Sequence, residues 1–438
     1  MTEVKRYAIV GLGHRSLMYT DALNNEFKDY GKLVAFCDTN QSRMDYYNRY
    51  FQDLYQAPPL PTYLATDFDR MLAEQRPDRL IVTSIDRTHH EYIVRAMEAG
   101  CDVITEKPMT VDAEKARAIL ETQKKTGRQL IVTFNYRYAP LNSKIKELLQ
   151  SGAIGDIISV HFEWLLDTSH GADYFRRWHR NKENSGGLMV HKATHHFDLV
   201  NWWLSSRPET VFGFGKLAFY GRQNGLARGE VTSYPRYRGY EEAKTDPYGL
   251  DLSQDERLTS LYLEAEHEDN YFRDKNVFAE DIDIEDDMAL VIRYDSGATM
   301  TYHLTAYSPW EGYRIAFNGS KGRLEILLEE NSYRLPRTSY NIEATAKDVT
   351  LPPRIVLRPL WEKPVEIDLP TSTEGGHGGG DIRLLRDVFV GADNDPLGRA
   401  AGHLDGATSI MTGIAANRAF KTGEPVRVSD LLDIPAKV

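Results

Sequence analysis

Short apolar runs alternate with amphipathic stretches along the first third of the chain. The apolar runs lie in "RYAIV", "KLVAFCD", "DRLIVTSI", "CDVITEKP" and "RQLIVTF", and the stretches "HHEYIVRAMEAG" and "VDAEKARAILETQKKTG" have helical periodicity. Apolar runs without polar alternation are typical of strands buried on both faces of a parallel sheet. The pattern therefore predicts an α/β fold over residues 1–130, with a doubly wound parallel sheet.

The rest of the chain contains stretches in which apolar and polar residues alternate with a period of two. These stretches, "DIISVHFEW", "TVFGFGKLAFYG", "MALVIRYDSGATMTYHLTA", "RIAFNGSKGRLEI" and "PVEIDL", predict strands joined by turns. Residues 131–438 are thus expected to form a second α/β domain whose sheet has one open face. A polar, tyrosine-rich insertion at about 222–286 is longer than most connections, so it is either a functional lid or a surface excursion.

Composition and charge limit the partners of the protein. The 438 residues carry a formal net charge of −11, which argues against nucleic acid or an anionic membrane as the main partner. No run approaches the ~18 consecutive apolar residues of a membrane span. Cys37 and Cys101 lie in apolar contexts and are interpreted as buried thiols of a reducing compartment. Because a strand begins near the first residue, no signal sequence is expected and a cytoplasmic location is predicted.

A glycine-rich turn follows the first predicted strand. Gly11 and Gly13 form G-x-G, and the helix that starts at His14 and Arg15 offers free N–H groups to a diphosphate. A second strand ends at Asp38, where the acid that binds a ribose hydroxyl is expected in a Rossmann unit. Such an acid repels a 2′-phosphate, so the sequence favours NAD over NADP as the cofactor.

Ligands of doubly wound sheets bind beyond the carboxyl ends of the strands. Polar residues stand at several of these predicted ends, namely Asp86, Glu106, Asn135 and Arg137. They are expected to line one cofactor site together with the residues named above, Gly11, Gly13, His14, Arg15 and Asp38. Lys107 follows one strand directly and is expected to hold a substrate hydroxyl and stabilise the developing alkoxide.

These segments together resemble the Gfo/Idh/MocA oxidoreductases, the family of glucose–fructose oxidoreductase and inositol dehydrogenase. The resemblance lies in "VGLGHRS", "SIDRTHHEYIVRAMEAGCDVITEKP", "FNYRYAP", "SGGLMVHKATHHFDLVNWWL" and "DGATSIMTGIAANRAFKTGEPVRV". It implies an N-terminal Rossmann domain and a C-terminal α/β domain with a large, mostly antiparallel open sheet. It also implies that this sheet covers the nicotinamide and assembles a homo-oligomer, either a dimer or a tetramer.

The resemblance further implies roles for single residues. Lys107 matches the catalytic lysine of the family, His195 its catalytic histidine, and His89 the histidine of the loop after the third predicted strand. Inositol-dehydrogenase-like members carry an aspartate four residues before the catalytic histidine, where this chain has His191. The carboxylate that orients the imidazole is therefore expected to be missing, and Lys192 follows at once.

The stretch "HKATHH" permits three interpretations. If it is helical, His191 and His195 are i,i+4 neighbours and bind a metal with a third ligand such as His377, although a lysine beside them disfavours this. As an acid–base site, neutral His195 accepts a hydroxyl proton while Lys107 and Lys192 depress its pKa. The third interpretation is purely structural. We expect the acid–base site without a metal, and we expect Trp178, Arg180, His377 and Asp381 to contact substrate.

The predicted function is an NAD-dependent oxidoreductase that acts on a sugar, a sugar acid or a cyclitol. The alternative is an NAD-dependent glycoside hydrolase that oxidises C3 transiently and recycles its NAD, outside the paired-carboxylate rule of most glycosidases. A third hypothesis, a regulator that senses NAD(H), is disfavoured because Lys107 and His195 are both present.

Overall fold

The computed structural model describes residues 4–334, 350–369, 376–391 and 394–435. Its first sheet contains six parallel strands in the order β3-β2-β1-β4-β5-β6, which is the doubly wound order of a Rossmann domain. The strands are β1 Lys5–Val10, β2 Gly31–Asp38, β3 Thr62–Leu64, β4 Arg79–Val82, β5 Asp102–Thr105 and β6 Leu130–Val132. Because β6 pairs with β5, the first sheet extends past the boundary predicted at residue 130.

Helices cover both faces of this sheet, as the apolar runs predict. They are α1 Leu17–Asn24, α2 Gln41–Tyr55, α3 Phe68–Gln75, α4 His89–Glu98 and α5 Ala113–Thr126. Asn40 and Asp112 cap α2 and α5 by accepting hydrogen bonds from backbone N–H groups in the first turn of each helix. The short β3 has no matching prediction in the sequence, since only Tyr63 of its three residues is buried.

The second sheet has nine strands in the order β14-β13-β12-β11-β7-β10-β9-β8-β15. The neighbours β7 and β10 are parallel and every other pair is antiparallel, which confirms the predicted sheet type. The strands are β7 Ile157–Asp167, β8 Pro208–Lys216, β9 Asp287–Tyr294, β10 Thr299–Ser308, β11 Glu311–Gly319, β12 Gly322–Asn331, β13 Arg354–Pro359, β14 Val365–Ile367 and β15 Val426–Arg427.

The helices that follow β6 are α6 Pro140–Gln150, α7 Thr168–Arg176, α8 Lys182–Ser185, α9 Leu188–His191, α10 Thr194–Leu204, α11 Arg222–Arg228, α12 Glu256–Leu258, α13 Glu266–Asp269, α14 Gly376–Phe389 and α15 His403–Thr422. Of these helices, α7 and α15 pack on the nine-stranded sheet, whereas α14 packs against the Rossmann domain. Among the described residues, no helix is both long enough and apolar enough to cross a membrane. The opposite face of the sheet exposes Phe214 and Val291, with 68% and 53% of their surface accessible.

The core of the Rossmann domain includes residues from distant parts of the chain. Leu258 and Leu261 of the insertion belong to the same buried apolar cluster as Ile9 of β1. Phe389, at the end of α14, lies edge-on against Tyr7 with ring centroids 5.3 Å apart. The two domains therefore share apolar contacts on the side of the sheet that carries α1 and α2.

Candidate active site

A cleft of about 740 Å³ lies between the two domains, at the carboxyl ends of the first sheet's strands, where ligands of such sheets bind. The structure brings most of the predicted site residues to its wall: Gly11, Gly13, His14, Arg15, Asp38, Asp86, His89, Glu106, Lys107, Trp178 and His191.

The glycine-rich turn is held in a close approach to the next loop. Gly11 has a φ of +89°, and a Cβ at this position would lie 2.4 Å from the backbone nitrogen of Ser84, so no other residue fits. The third position of the motif, Ser16, has its own function, since its hydroxyl donates to the carbonyl of Gly13 over 2.7 Å. Tyr47 donates to the same carbonyl over 2.8 Å, and the turn is thereby fixed without a third glycine.

Asp38 occupies the place predicted for the ribose-binding acid. Its carboxylate accepts hydrogen bonds from the backbone nitrogens of Leu12 (2.5 Å) and Asn40 (2.9 Å), and it lies 3.5 Å from the guanidinium of Arg43. Burial raises the pKa of Asp38, while Arg43 and the two N–H groups oppose that rise. The carboxylate is therefore oriented by backbone N–H groups of the turn and of the residue pair after β2.

Glu106 and Lys107 are adjacent and serve different purposes. Glu106 accepts from Arg15 (2.6 Å) and from the hydroxyl of Tyr19 (2.7 Å), so it fixes the start of the first helix. Lys107 precedes a cis peptide bond to Pro108 and donates from Nζ to the carbonyl of His191 over 3.3 Å. Burial lowers the pKa of Lys107 to about 8, against the opposing effect of Asp86 and Glu106.

His191 is paired with a carboxylate from the other domain. Its Nδ1 lies 2.5 Å from Oδ2 of Asp86, in the loop after β4. Burial lowers the pKa of His191 well below its usual range, and Lys107 lowers it further; burial raises the pKa of Asp86, and Lys107 opposes that rise. The sequence predicts that the carboxylate four residues before His195 is missing; the structure instead places Asp86, from across the domain boundary, beside His191.

The stretch "HKATHH" is not one continuous helix. The structure places a turn at Lys192 and Ala193 between α9 and α10, and of the two histidines His191 lines the described cleft wall. His195 is only 3% exposed, lies edge-on to Tyr136 with ring centroids 4.7 Å apart, and is not part of the cleft wall. Lys192 is also absent from the described cleft wall, and its Nζ lies 4.9 Å from the ring centroid of Trp164.

Two further predicted site residues hold the framework, His89 within the cleft wall and Arg137 outside it. The two ring nitrogens of His89 lie 2.8 Å from the carbonyl of Pro108 and 3.0 Å from that of Ser84, so this cleft residue links two loops. Arg137 was predicted to bind cofactor, but it is buried and donates to Asp198 over 2.6 and 2.8 Å.

Of four more predicted site residues, three lie outside the described cleft wall and the side chain of the fourth is not among the described residues. Asn135 donates to Asp381 over 2.6 Å and neither lines the cleft, so this pair joins β6 to α14. Arg180 donates to the carbonyl of Asn276 over 2.6 Å and is absent from the cleft wall, because it anchors the insertion. The side chain of His377 lies outside the described residues.

Several residues of the cleft wall had no place in the sequence prediction. Asp173, Tyr174 and Arg177 come from α7 and the residue after it, while Tyr262 and Arg273 come from the insertion. The run "RRWHR" was the available signal, although the sequence alone drew attention to its tryptophan and its last arginine. Among the described residues, no group of three or more His, Cys, Asp or Glu side chains is placed to hold a metal ion.

Two domain descriptions of one family match the chain. "Oxidoreductase family, NAD-binding Rossmann fold" matches residues 5–134, and "Oxidoreductase family, C-terminal alpha/beta domain" matches residues 146–428. The fold and the cleft thus define an oxidoreductase with a nicotinamide dinucleotide site in a Rossmann domain. The chain belongs to the Gfo/Idh/MocA oxidoreductase family.

Relatives with assigned names agree with this family. The putative oxidoreductase YteT of Bacillus subtilis (strain 168) is 36% identical over 98% of this chain and 99% of that protein. The D-glucoside 3-dehydrogenase of Escherichia coli (strain K12) is 32% identical over 35% of this chain and 41% of that enzyme. The WlbA dehydrogenase from Bordetella pertussis, solved with NADH and UDP-GlcNAcA, shares the fold with a TM-score of 0.62 at 17% identity, over 98% of both chains.

Proposed function

We propose that this oxidoreductase transfers hydride between a ring hydroxyl of a sugar, a sugar acid or a cyclitol and NAD. The observation that carries the proposal is the convergence of Lys107 and the Asp86–His191 pair in the cleft that contains the glycine-rich turn. An oriented imidazole beside a partly buried ammonium group is suited to removing a proton from a hydroxyl. The names of the dehydrogenase relatives support the substrate class.

In the proposed reaction the bound nicotinamide supplies the hydride acceptor. With Asp86 ionised, Nδ1–H of His191 donates to the carboxylate, and Nε2 is left to accept the hydroxyl proton of the substrate. No other described residue forms a hydrogen bond with Nε2. Lys107 holds the substrate oxygen and stabilises its developing negative charge, because the ammonium group is already positioned by the carbonyl of His191.

The residues of the turn fit a dinucleotide with an unmodified ribose. Gly11 and Gly13 leave room for a diphosphate, and the buried carboxylate of Asp38 is suited to accept ribose hydroxyls. A 2′-phosphate beside that carboxylate would be repelled, although Arg43 at 3.5 Å reduces the repulsion. We therefore propose NAD as the cofactor rather than NADP. The cytoplasmic location stays a prediction.

The test is turnover of purified protein with NAD or NADP and a panel of free sugars, sugar acids, cyclitols and glycosides. We expect the absorbance of NADH to rise well beyond the enzyme concentration with one class of free hydroxyl substrate, and NADP to be the poorer cofactor. Cleavage of a glycoside without net NADH would identify the recycling hydrolase instead, an alternative that the names of the relatives do not support. Absence of any turnover would support the NAD(H)-sensing hypothesis.

We also propose that two copies of the chain associate through the open face of the nine-stranded sheet. Phe214→Glu places a charge on the most exposed phenylalanine of that face, so we expect it to convert a dimer or tetramer to a smaller species in light-scattering chromatography. Leu54→Glu is the matched control, because Leu54 is 56% exposed on α2, away from the sheet. A wild-type monomer, or an unchanged mass for Phe214→Glu, would refute this interface.

A further inference from the structure

The insertion reaches across the cleft and binds the Rossmann domain directly. Residues 256–273, here termed the covering segment, include α12, a π-helical turn at Thr259–Leu263 and α13. Asn40 donates to the carbonyl of Ala265 over 2.8 Å, and Arg43 donates from Nε to the carbonyl of Leu261 over 3.0 Å. The covering segment is thus attached to the loop and helix that follow Asp38.

Tyr262 of the covering segment lies against the glycine-rich turn. Its hydroxyl accepts a hydrogen bond from the backbone N–H of His14 over 3.0 Å, and a Cβ added to Gly13 would lie 3.4 Å from the same oxygen. Free N–H groups at this place bind the diphosphate in Rossmann domains. The covering segment therefore meets the turn at the position where the phosphate groups are expected.

Arg273 is placed beside this contact with unused donors. Its guanidinium lies 4.6 Å from the ring centroid of Tyr262, its side chain is 11% exposed, and it lines the cleft. Its Nε and Nη1 are buried and have no hydrogen-bond partner among the described residues. A buried guanidinium with unpartnered N–H groups is costly unless an anion completes it.

Arg177 and Arg273 both face the carboxylate of Asp173. Asp173 lies 3.0 Å from Nη1 of Arg177, 3.5 Å from Nη1 of Arg176 and 3.7 Å from Nη2 of Arg273, so one carboxylate faces three guanidinium groups. At the turn, the pKa of His14 is lowered to about 4, by burial first and then by Arg273, Arg257 and Arg177, while Asp255 opposes them. The site thus combines a positive excess, unpartnered N–H groups and a glycine-rich turn.

We infer that Arg273, together with Arg177, binds the diphosphate of the dinucleotide, and that the covering segment slows dinucleotide release. The inference rests on the proposed function for the identity of the ligand. It assigns a cofactor-binding role to an insertion that lies between β8 and β9 of the second domain. Release then requires the contacts of Tyr262, Ala265 and Leu261 with the Rossmann domain to open.

The experiment measures NADH binding and release without any sugar substrate. NADH fluorescence gives the dissociation constant by titration and the release rate by rapid displacement with excess NAD. Loss of hydrogen bonds from a cation to a phosphate is expected to raise both quantities about tenfold or more in Arg273→Ala. Lys275→Ala is the matched control. Lys275 is also a cation and lies two residues after Arg273, but it pairs with Asp281 over 3.2 Å and does not line the cleft.

Arg273→Gln, which keeps most of the side chain's volume, provides the same comparison if the alanine variant is poorly folded. NADH binding and release equal to those of the wild type in either folded variant would overturn the inference. So would a change confined to the KM of the sugar at saturating NAD, since Arg273 would then contact an anionic group of the substrate. A wild type that binds NADH but oxidises no sugar would refute the proposed function and leave the inference intact.

Discussion

Replacing Lys107 with methionine is expected to lower kcat by about 10²–10³-fold, the usual effect of removing one group that stabilises a developing oxyanion. Methionine keeps the length and much of the volume of the side chain but has no ammonium group to hold the substrate oxygen. NADH affinity is expected to change little, because the turn and Asp38 are untouched. Steady-state kinetics and a fluorescence titration measure the two effects separately, and a kcat near that of the wild type would remove Lys107 from the mechanism.

If the ammonium group of Lys107 holds the substrate oxygen, the rate should depend on pH. Its pKa is lowered to about 8, so the ammonium form is present below this pH and is lost as the pH rises through it. The rate should therefore fall above about pH 8 if the cation is the active form. In Lys107→Arg the cation persists at all accessible pH values, and whatever activity remains should lack this falling limb. A wild-type rate that keeps rising above pH 8 would contradict the assignment.

His191→Gln is expected to lower kcat by about 10²–10⁴-fold, the range contributed by a general base. Glutamine retains hydrogen-bonding capacity toward Asp86 but has no nitrogen that accepts a proton. His195→Gln is the informative comparison, since His195 lies beside Tyr136 and outside the cleft wall. We expect this second variant to lose less than tenfold, and denaturation midpoints of both variants show whether either loss reflects unfolding.

Asp86→Asn is a further test of whether His191 or His195 is the general base. If His191 is the base, an amide in place of the carboxylate disturbs its tautomer and kcat falls by a large factor with little change in structure. If His195 is the base, as the family resemblance implies, His195→Gln should be the most damaging variant. That order of effects would return the role to His195.

The sequence pattern correctly placed those residues whose position depends only on the end of a predicted strand. Asp38, Glu106 and Lys107 directly follow or end apolar strands, so the parallel sheet alone is sufficient to place them at one edge. Arg137 shows the limit of that reasoning. It also follows a strand, but the 3₁₀ turn at Asn135–Tyr138 directs it away from the cleft toward Asp198, which no local pattern reveals.

The partner of His191 could not be predicted for a related reason. Asp86 lies 105 residues earlier in another domain, and the contact depends on how the two domains meet. The pattern also predicted one helix through "HKATHH", whereas the turn at Lys192 and Ala193 decides which histidine reaches the cleft. A shift of a few residues in a helix boundary is enough to change which of two histidines four residues apart lines the cleft.

The contribution of Phe389 to the Rossmann core has a consequence for protein synthesis. This ring packs on Tyr7 and Phe27, and Leu384, Leu385 and Val388 join the same cluster, although they are translated long after the first sheet. Domains generally fold in the order in which they leave the ribosome, but here the first domain keeps an apolar gap until nearly the whole chain has emerged. A fragment that ends after β6 would expose this surface to water, and chimaeras that exchange only the nucleotide-binding half would need to transfer α14 with it.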